Sequence, residues 1–498
     1  MELQFDKSIC KSLHKILSHV LDQELTQEIR LPESLPDIGR VLGSWGQVVL
    51  RSKEWYSSSI GISGGVMTWV LYAPEDGTEP RSVETWIPFQ MKWDIPDTQR
   101  DGSICVIPLI KSIDARSISA RKIMMRTNVS ILGEAYEPKE TSVYQVIQLP
   151  EDIQVLKQAY PMEIPVEAGE KPLQIEEELA IPANSPKIEK VCYYDLKPQV
   201  TESRILGDKL LFRGKANLHV VYLGSDSALQ TLEQELSFSQ YTHLDNEYSI
   251  SAAPWTCPVV TGLELDLTAE QPEVKANLSV QYIVYDRKLL EITEDAYSTN
   301  REITPEKQLL QLFSRLDSSE KNMELSQSIS VQARQVMDAV WYPSHPVKMQ
   351  NGETLEVEQP GMFQVLYLDM DGNLQGCSAA AKETWEISSD SQNRVDLYSL
   401  CTTKPVAMSN GENITVTTGM MLQAIVTNEN GLQMISGIET GEMKEKDPAR
   451  PSLIVRKIGK NRIWDIAKQY NANTSDIQCV NGDCEEFKED QVILIPVS

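Results

Sequence analysis

Three short stretches carry residue types whose spacing could do chemistry. "GISGG" at 61–65 has the G-x-S-x-G form that lifts a nucleophilic serine, here Ser63, onto a strand-to-helix elbow. That elbow needs a helix directly after it, and the following "VMTWVLY" is strand-like, so Ser63 is expected to be structural. "LDMDGN" at 368–373 spaces Asp369 and Asp371 as a calcium loop does, but no glutamate completes a twelve-residue loop, and a hairpin turn accounts for it. Between Gly207 and Lys215 a glycine precedes Gly-Lys, but Ala216 stands where a magnesium-binding hydroxyl belongs, so no phosphate loop is expected.

The remaining reactive residues are dispersed. The five histidines (14, 19, 219, 243, 345) form no HExxH and no Cys/His cluster, and His219 falls on the polar side of an alternating strand. Eight cysteines are too sparse for a disulfide framework in 498 residues, and Cys479 with Cys484 lacks the second pair a zinc site needs. No catalytic residue, cofactor or metal is expected, and the chain reads as non-enzymatic. The 46 basic against 72 acidic residues give a net charge of −26, which repels phosphate backbones and anionic lipid, so no nucleic acid partner is expected. No apolar run approaches the ~18 residues of a bilayer span, and the start, "MELQFDKSICKSLHKILSHVLDQEL", interleaves Lys7, Lys11 and Lys15 with apolar residues instead of offering a signal-peptide core. These features imply no transmembrane segment and a cytoplasmic protein.

An internal repeat organises the rest. "LPESLPDI" (31–38) returns as "IPANSPKI" (181–188), carrying Pro32, Pro36 and Ile38 onto Pro182, Pro186 and Ile188. Gly64 then maps to Gly214, Tyr72 to Tyr222 and Asp76 to Asp226 at the same offset. A third copy, without the proline lead-in, aligns "MFQVLYLDMDG" (362–372) with "MTWVLYAPEDG" (67–77). Ala216, Leu218, Val220 and Tyr222 alternate with Asn217 and His219, the period of a strand with one buried face, and Asp76-Gly77 and Asp371-Gly372 suit tight hairpins.

The expected architecture is mainly β. Three tandem β-sandwich-like units cover 30–150, 179–300 and a diverged 326–440. Ile9, Leu13, Ile16, Leu17, Val20 and Leu21 predict an N-terminal amphipathic helix over 1–29. A connector spans 151–178, and Thr304-Pro305-Glu306 with Leu309, Leu310, Phe313 and Leu316 predicts a helical connector over 301–325. A charged linker, 441–452, leads to a small α+β module at 453–498. There "LIV" and "VILIP" read as strands around a helix ending near Tyr470 and a second helix opened by a Ser475-x-x-Gln478 capping box.

This β-α-α-β segment, with "IWDIAKQYN", "SDIQCVN" and "QVILIP" in order, resembles a LysM domain. The repeat units, through "LPxxxPDI", "IPxxxPKI" and the "VLY/VVY/VLY" strands, resemble the SPOCS domains that accompany a terminal LysM in SipL-like spore coat and cortex morphogenetic proteins of spore-forming Firmicutes. The resemblance implies a scaffold made in the mother-cell cytoplasm that helps place the coat at the forespore surface by contact with a coat morphogenetic ATPase and other coat proteins. An alternative is a peptidoglycan-binding LysM protein of the envelope. In sugar-binding LysM domains the groove loops read Gly-Asp-Thr and Pro-Gly-Gln; here they read "GKNR" (459–462) and "EDQ" (489–491). The partner- or glycan-binding candidates are Lys460, Asn461, Arg462, Asn481 and Gln491. Residues 453–470 are net positive by four and 471–498 net negative by five, a polarity suited to docking on a charged protein surface.

Overall fold

The computed structural model describes residues 4–97, 102–182, 185–267, 271–351, 354–388, 393–401, 403–428, 431–444, 451–457, 461–482, 486–487 and 491–497. It is mainly β, and one strand order recurs three times. First come β1 (Gln4–Arg30), the meander β2 (Ile38–Tyr56), β3 (Ser59–Pro74) and β4 (Arg81–Asp94), then β5 (Ser103–Ser119) and β6 (Lys122–Gln148). The first strand pairs with the last, giving the sheets β2-β3-β4 and β1-β6-β5.

The order repeats in β7 (Ile153–Glu178), β8 (Ile188–Leu206), β9 (Lys209–Gly224), β10 (Leu229–His243), β11 (Ala253–Asp266) and β12 (Glu273–Ser298). β13 (Arg301–Gln311) precedes the third set: β14 (Ser314–Ile329), β15 (Gln335–Pro343), β16 (Val347–Asn351), β17 (Thr354–Leu368), β18 (Leu374–Ser388), β19 (Arg394–Cys401), β20 (Val406–Ser409) and β21 (Ile414–Asn428). β22 (Gly431–Met443) pairs back on β13. β7-β12-β11 and β14-β21-β19 reproduce β1-β6-β5, and they fuse into one sheet where Arg315 meets Glu163.

Three expected segments are corrected. Residues 1–29 hold no helix among those described, because β1 runs there, paired with β6 from Gln4 to Arg30. A β-bulge between Lys15 and Leu17 flips the side-chain alternation, so the apolar residues on its two sides mimic helical spacing. The 151–178 connector is β7, paired with β12 along its length. The helical connector at 301–325 is β13 and most of β14, with Leu310, Leu312 and Phe313 buried where one strand gives way to the next.

The repeat reappears in fine geometry. Leu35 N donates to Pro32 O at 3.0 Å and Ser185 N to Pro182 O at 2.8 Å, the same lead-in turn. At Gly64 and Gly214 a Cβ would come within 2.4 Å of Val49 O and 2.3 Å of Gln199 O respectively, so only glycine lets the neighbouring strand this close. Gly77 and Gly372 take the positive φ of their hairpins, and Ser227 takes it in the second copy.

The core does not divide along the three units. One buried cluster runs through both sheets of the first two units and takes Val340, Tyr342 and Leu366 from the third. Each unit touches both others. Gln281 clamps Val106 through its N (2.9 Å) and O (2.8 Å), Trp255 Nε1 donates to Gln423 at 3.1 Å, and Gly46 N donates to Tyr342 Oη at 3.0 Å.

Candidate functional site

The terminal module places β23 (Leu453–Lys457) against β26 (Val492–Pro496), with β24 (Asn461–Arg462), α1 (Ile463–Tyr470), α2 (Thr474–Asn481) and β25 (Glu486–Phe487) between them. Ile463, Trp464, Ile466 and Ala467 bury one face of α1, and Asn471 closes the helix in the left-handed conformation. α2 starts two residues earlier than the capping box predicts. Asn473 is its N-cap and accepts from Ser475 N at 3.0 Å, so Ser475 lies inside the helix.

The candidate residues separate by role. Arg462 is exposed and pairs with Asp465 at 3.5 Å, available at the surface. Asn481 is internal to the module: its amide donates to Ile477 O (2.8 Å) and Leu494 O (2.6 Å) and accepts from Leu494 N (2.8 Å), tying α2 to β26. These bonds make it part of the module's own fold. Asn461 is described only as part of β24, Gln491 is half-buried, and Lys460 lies outside the described residues, as do the loop residues 458–460 and 488–490.

The geometry also gives the module a place that the sequence did not announce. Trp464 Nε1 (2.9 Å) and Lys468 Nζ (2.6 Å) both donate to the Asp295 carboxylate on β12. Tyr297 Oη donates to Ala472 O at 2.7 Å, and its ring meets Trp464 edge-on at 4.9 Å. The module core therefore continues into Tyr297 and Leu156 of the second unit. Burial works against the Asp295 charge, but Lys468 and Trp464 outweigh it and hold the carboxyl below its ordinary range. Trp464 is thus both core and interface.

Two buried ionic clusters stitch the units together. Lys15 Nζ reaches Glu134 (2.8 Å) and Asp396 (2.7 Å), Tyr398 Oη donates to Glu134, and the lysine ammonium is almost wholly shielded from solvent. Burial opposes these charges; the pairing overcomes it, raising the Lys15 pKa and lowering that of Asp396. His219 Nε2 lies 3.0 Å from Asp338, to which Tyr193 Oη donates at 2.6 Å and Lys404 Nζ approaches at 3.2 Å. Burial again works against Asp338, and His219 and Lys404 hold its pKa well below the carboxylate range. Lys15 left a trace in the sequence, a charge inside an apolar run; Asp295, Asp338 and Asp396 left none among 72 acidic residues.

Ser63 sits mid-strand, its hydroxyl 2.8 Å from that of Ser52, with no helix after it. Asp369 accepts from Asp371 N (3.0 Å) and Asn373 N (2.8 Å), a turn held by its own side chain. Among the described residues no group of three or more His, Cys, Asp or Glu could hold a metal ion, and no helix is long and apolar enough to cross a membrane.

Comparison with known proteins gives one family. The model for the SipL SPOCS domain matches residues 187–253, which are the meander β8-β9-β10. No curated protein matches, and no solved structure matches. The match gives the chain a SPOCS-like segment and, with it, a link to sporulation.

Proposed function

We propose that the chain is a non-enzymatic scaffold of endospore formation that helps assemble the coat at the forespore surface from the mother-cell cytoplasm. The SPOCS match over 187–253 carries this reading, and the recurrence of the same meander in β2-β3-β4 and β15-β17-β18 extends it to the whole body. The two ionic clusters support a non-catalytic role, because their charges are spent on one another in joints between units.

The terminal module is LysM-like in its β-α-α-β order, and we read it as a protein-docking element whose partner is a coat morphogenetic ATPase. Its α1 face is already occupied by Asp295 and Tyr297, so docking uses the side that carries Arg462. A fluorescent fusion imaged in sporulating cells tests this. The expected result is a shell around the forespore that is lost in Lys460→Glu/Arg462→Glu while the purified variant keeps its melting temperature. Wall or septal staining, or a shell indifferent to the charge reversal, overturns it.

A further inference from the structure

The outward face of the first unit's meander is built differently from its two counterparts. β3 is the central strand, paired on both sides, and its outward residues are Ser59, Gly61, Ser63 and Gly65. Across from Gly61 stand Glu54 and Lys92, and across from Ser63 stand Ser52 and Gln90. The small side chains leave a trough over β3, seen as two adjoining hollows of about 490 and 580 Å³ that share Ser63 and Gln90.

Aromatic rings bound both ends. Tyr56 is 50% exposed, and its hydroxyl donates to Glu54, which fixes the ring's position. Trp86 is 36% exposed and lies so close over Gly65 that a Cβ there would come within 2.2 Å of the ring. From Ser59 to Gly65 the strand covers about 20 Å.

The fold does not require this hollow. At the positions of Gly61, Ser63 and Gly65 the second unit has Leu211, Arg213 and Lys215, and the third has Glu356, Glu358 and Pro360. Where Trp86 faces Met67, the second unit sets Glu235 opposite Asn217 and the third Ala380 opposite Met362. The small floor residues and the flanking tryptophan thus occur together in one unit of three.

We propose that this trough binds a linear, uncharged polysaccharide. The Tyr56 ring and the exposed part of Trp86, over whose ring the Arg51 guanidinium stands at 5.3 Å, offer apolar surface to the C–H faces of sugar rings. Ser52, Ser63, Gln90, Glu54 and Lys92 offer hydroxyl-matching donors and acceptors between them. The charged groups along it, Arg51 and Lys92 against Glu54 and Asp94, balance, in a chain of net −26, which favours a neutral ligand. An added peptide strand is excluded, because β3 already spends its backbone on β2 and β4. The site is separate from the terminal module and does not depend on the scaffold reading.

The experiment is calorimetric titration of the full chain with two neutral probes, cellotetraose and the β-1,4-linked tetramer of N-acetylglucosamine. The trough predicts saturable binding of at least one probe, quenching of Trp fluorescence, and a loss of affinity of at least tenfold in Ser63→Arg and in Gly61→Leu. Both substitutions install what the second unit carries at the same place, and the Gly61 Cβ position is 3.4 Å from its nearest neighbour, so the melting temperature should stay unchanged. Tyr56→Ala should weaken binding as well. No saturable binding of either probe, or binding that survives Ser63→Arg with its affinity intact, overturns the proposal; survival would place the sugar elsewhere, such as on the terminal module.

Discussion

The joint between the first and second units and the joints that bring in the third differ in what they add to apolar burial at related positions. Between units one and two, Trp45 stacks on Tyr193 at 4.0 Å and 4°, and Trp69 packs on Tyr194 at 4.6 Å within one shared apolar core. The third unit enters that core too, through Val340, Tyr342 and Leu366, but its joints add buried polar pairs: Lys15 with Asp396 from the first unit, and His219 with Asp338 from the second. Trp69 and His219 occupy the same position in their repeats, so the difference lies in chemistry and not in topology. Apolar burial stabilises in proportion to area and tolerates small adjustments. A buried ion pair contributes little net free energy but makes any mismatched arrangement costly. The buried pairs therefore add to the third unit's apolar contacts less affinity than a penalty on any mismatched arrangement.

The sharpest way to break that contrast is Lys15→Met. It strands Glu134 without its cation and leaves Asp396 paired with Arg394 at 3.3 Å, and it should cost about 3–5 kcal/mol, read as a lower midpoint in urea unfolding. Protease should cut first between β14 and β21, because the third unit loses its tie to the first. Adding Asp396→Leu should return much of the loss by removing one of the two buried carboxylates. An equal loss in single and double variants would mean that the cluster contributes packing alone.

Acid provides a second test. His345, just after β15, is buried against the first unit; Leu132 N donates to its Nε2 at 3.2 Å, and burial pushes its pKa down to about 4. Asp22 and Lys111 are the charged groups facing it, and they act in opposite directions. The unfolded chain takes up a proton near pH 6.5, the folded chain only near 4, so this contribution is complete above pH 6.5 and is lost as pH falls toward 4. The loss should reach about 3 kcal/mol, and His345→Gln should flatten the stability profile across that window. A wild-type profile flat between pH 6.5 and 4 would show that the joint tolerates the charge.

The sequence displayed what is local and hid what is shared between units. Asp76-Gly77, Asp371-Gly372 and the alternation around Val220 were legible because a hairpin and its strands are written within about twenty residues. The first strands of units one and two were not legible, since β1 and β7 owe their form to β6 and β12, whose paired residues lie 92 to 145 positions away. The polar 151–178 segment looks like a connector until its partner is known. In the candidate site, the charge of Arg462 was legible at its loop, whereas the bonds of Asn481 to Leu494 were not, because a hydrogen-bonding side chain reads the same whether it faces a ligand or its own fold. Asp295 was invisible, one carboxylate among many, distinguished only by what docks on it.

That docking is a smaller joint of mixed character, and it sharpens the comparison. Asp295→Ala leaves Lys468 and Trp464 Nε1 without their acceptor but keeps the Tyr297–Trp464 contact. It should weaken docking by about 2 kcal/mol, seen as faster hydrogen exchange at Asp295's neighbours on β12 while α1 keeps its protection. Loss of protection throughout the module would mean that it cannot stay folded undocked.

Tyr193 belongs to both kinds of joint at once, and its substitution separates them. The ring stacks on Trp45 in the apolar joint, while the hydroxyl donates to Asp338 in the charged one at 2.6 Å. Tyr193→Phe keeps the stack and removes one hydrogen bond to a buried carboxylate that still has His219 and Lys404. The expected cost is about 1.5 kcal/mol, the smallest in this series and at the low end for a hydrogen bond to a charged group. In an Asp338→Asn background the same substitution should cost clearly less, because the acceptor is neutral and the charge-assisted part is gone. If the cost is the same in both backgrounds, the hydroxyl acts through the stack with Trp45, and the two joints are one apolar interface with a charge at its rim. If it falls, the second unit holds its neighbours by two independent means meeting on one side chain.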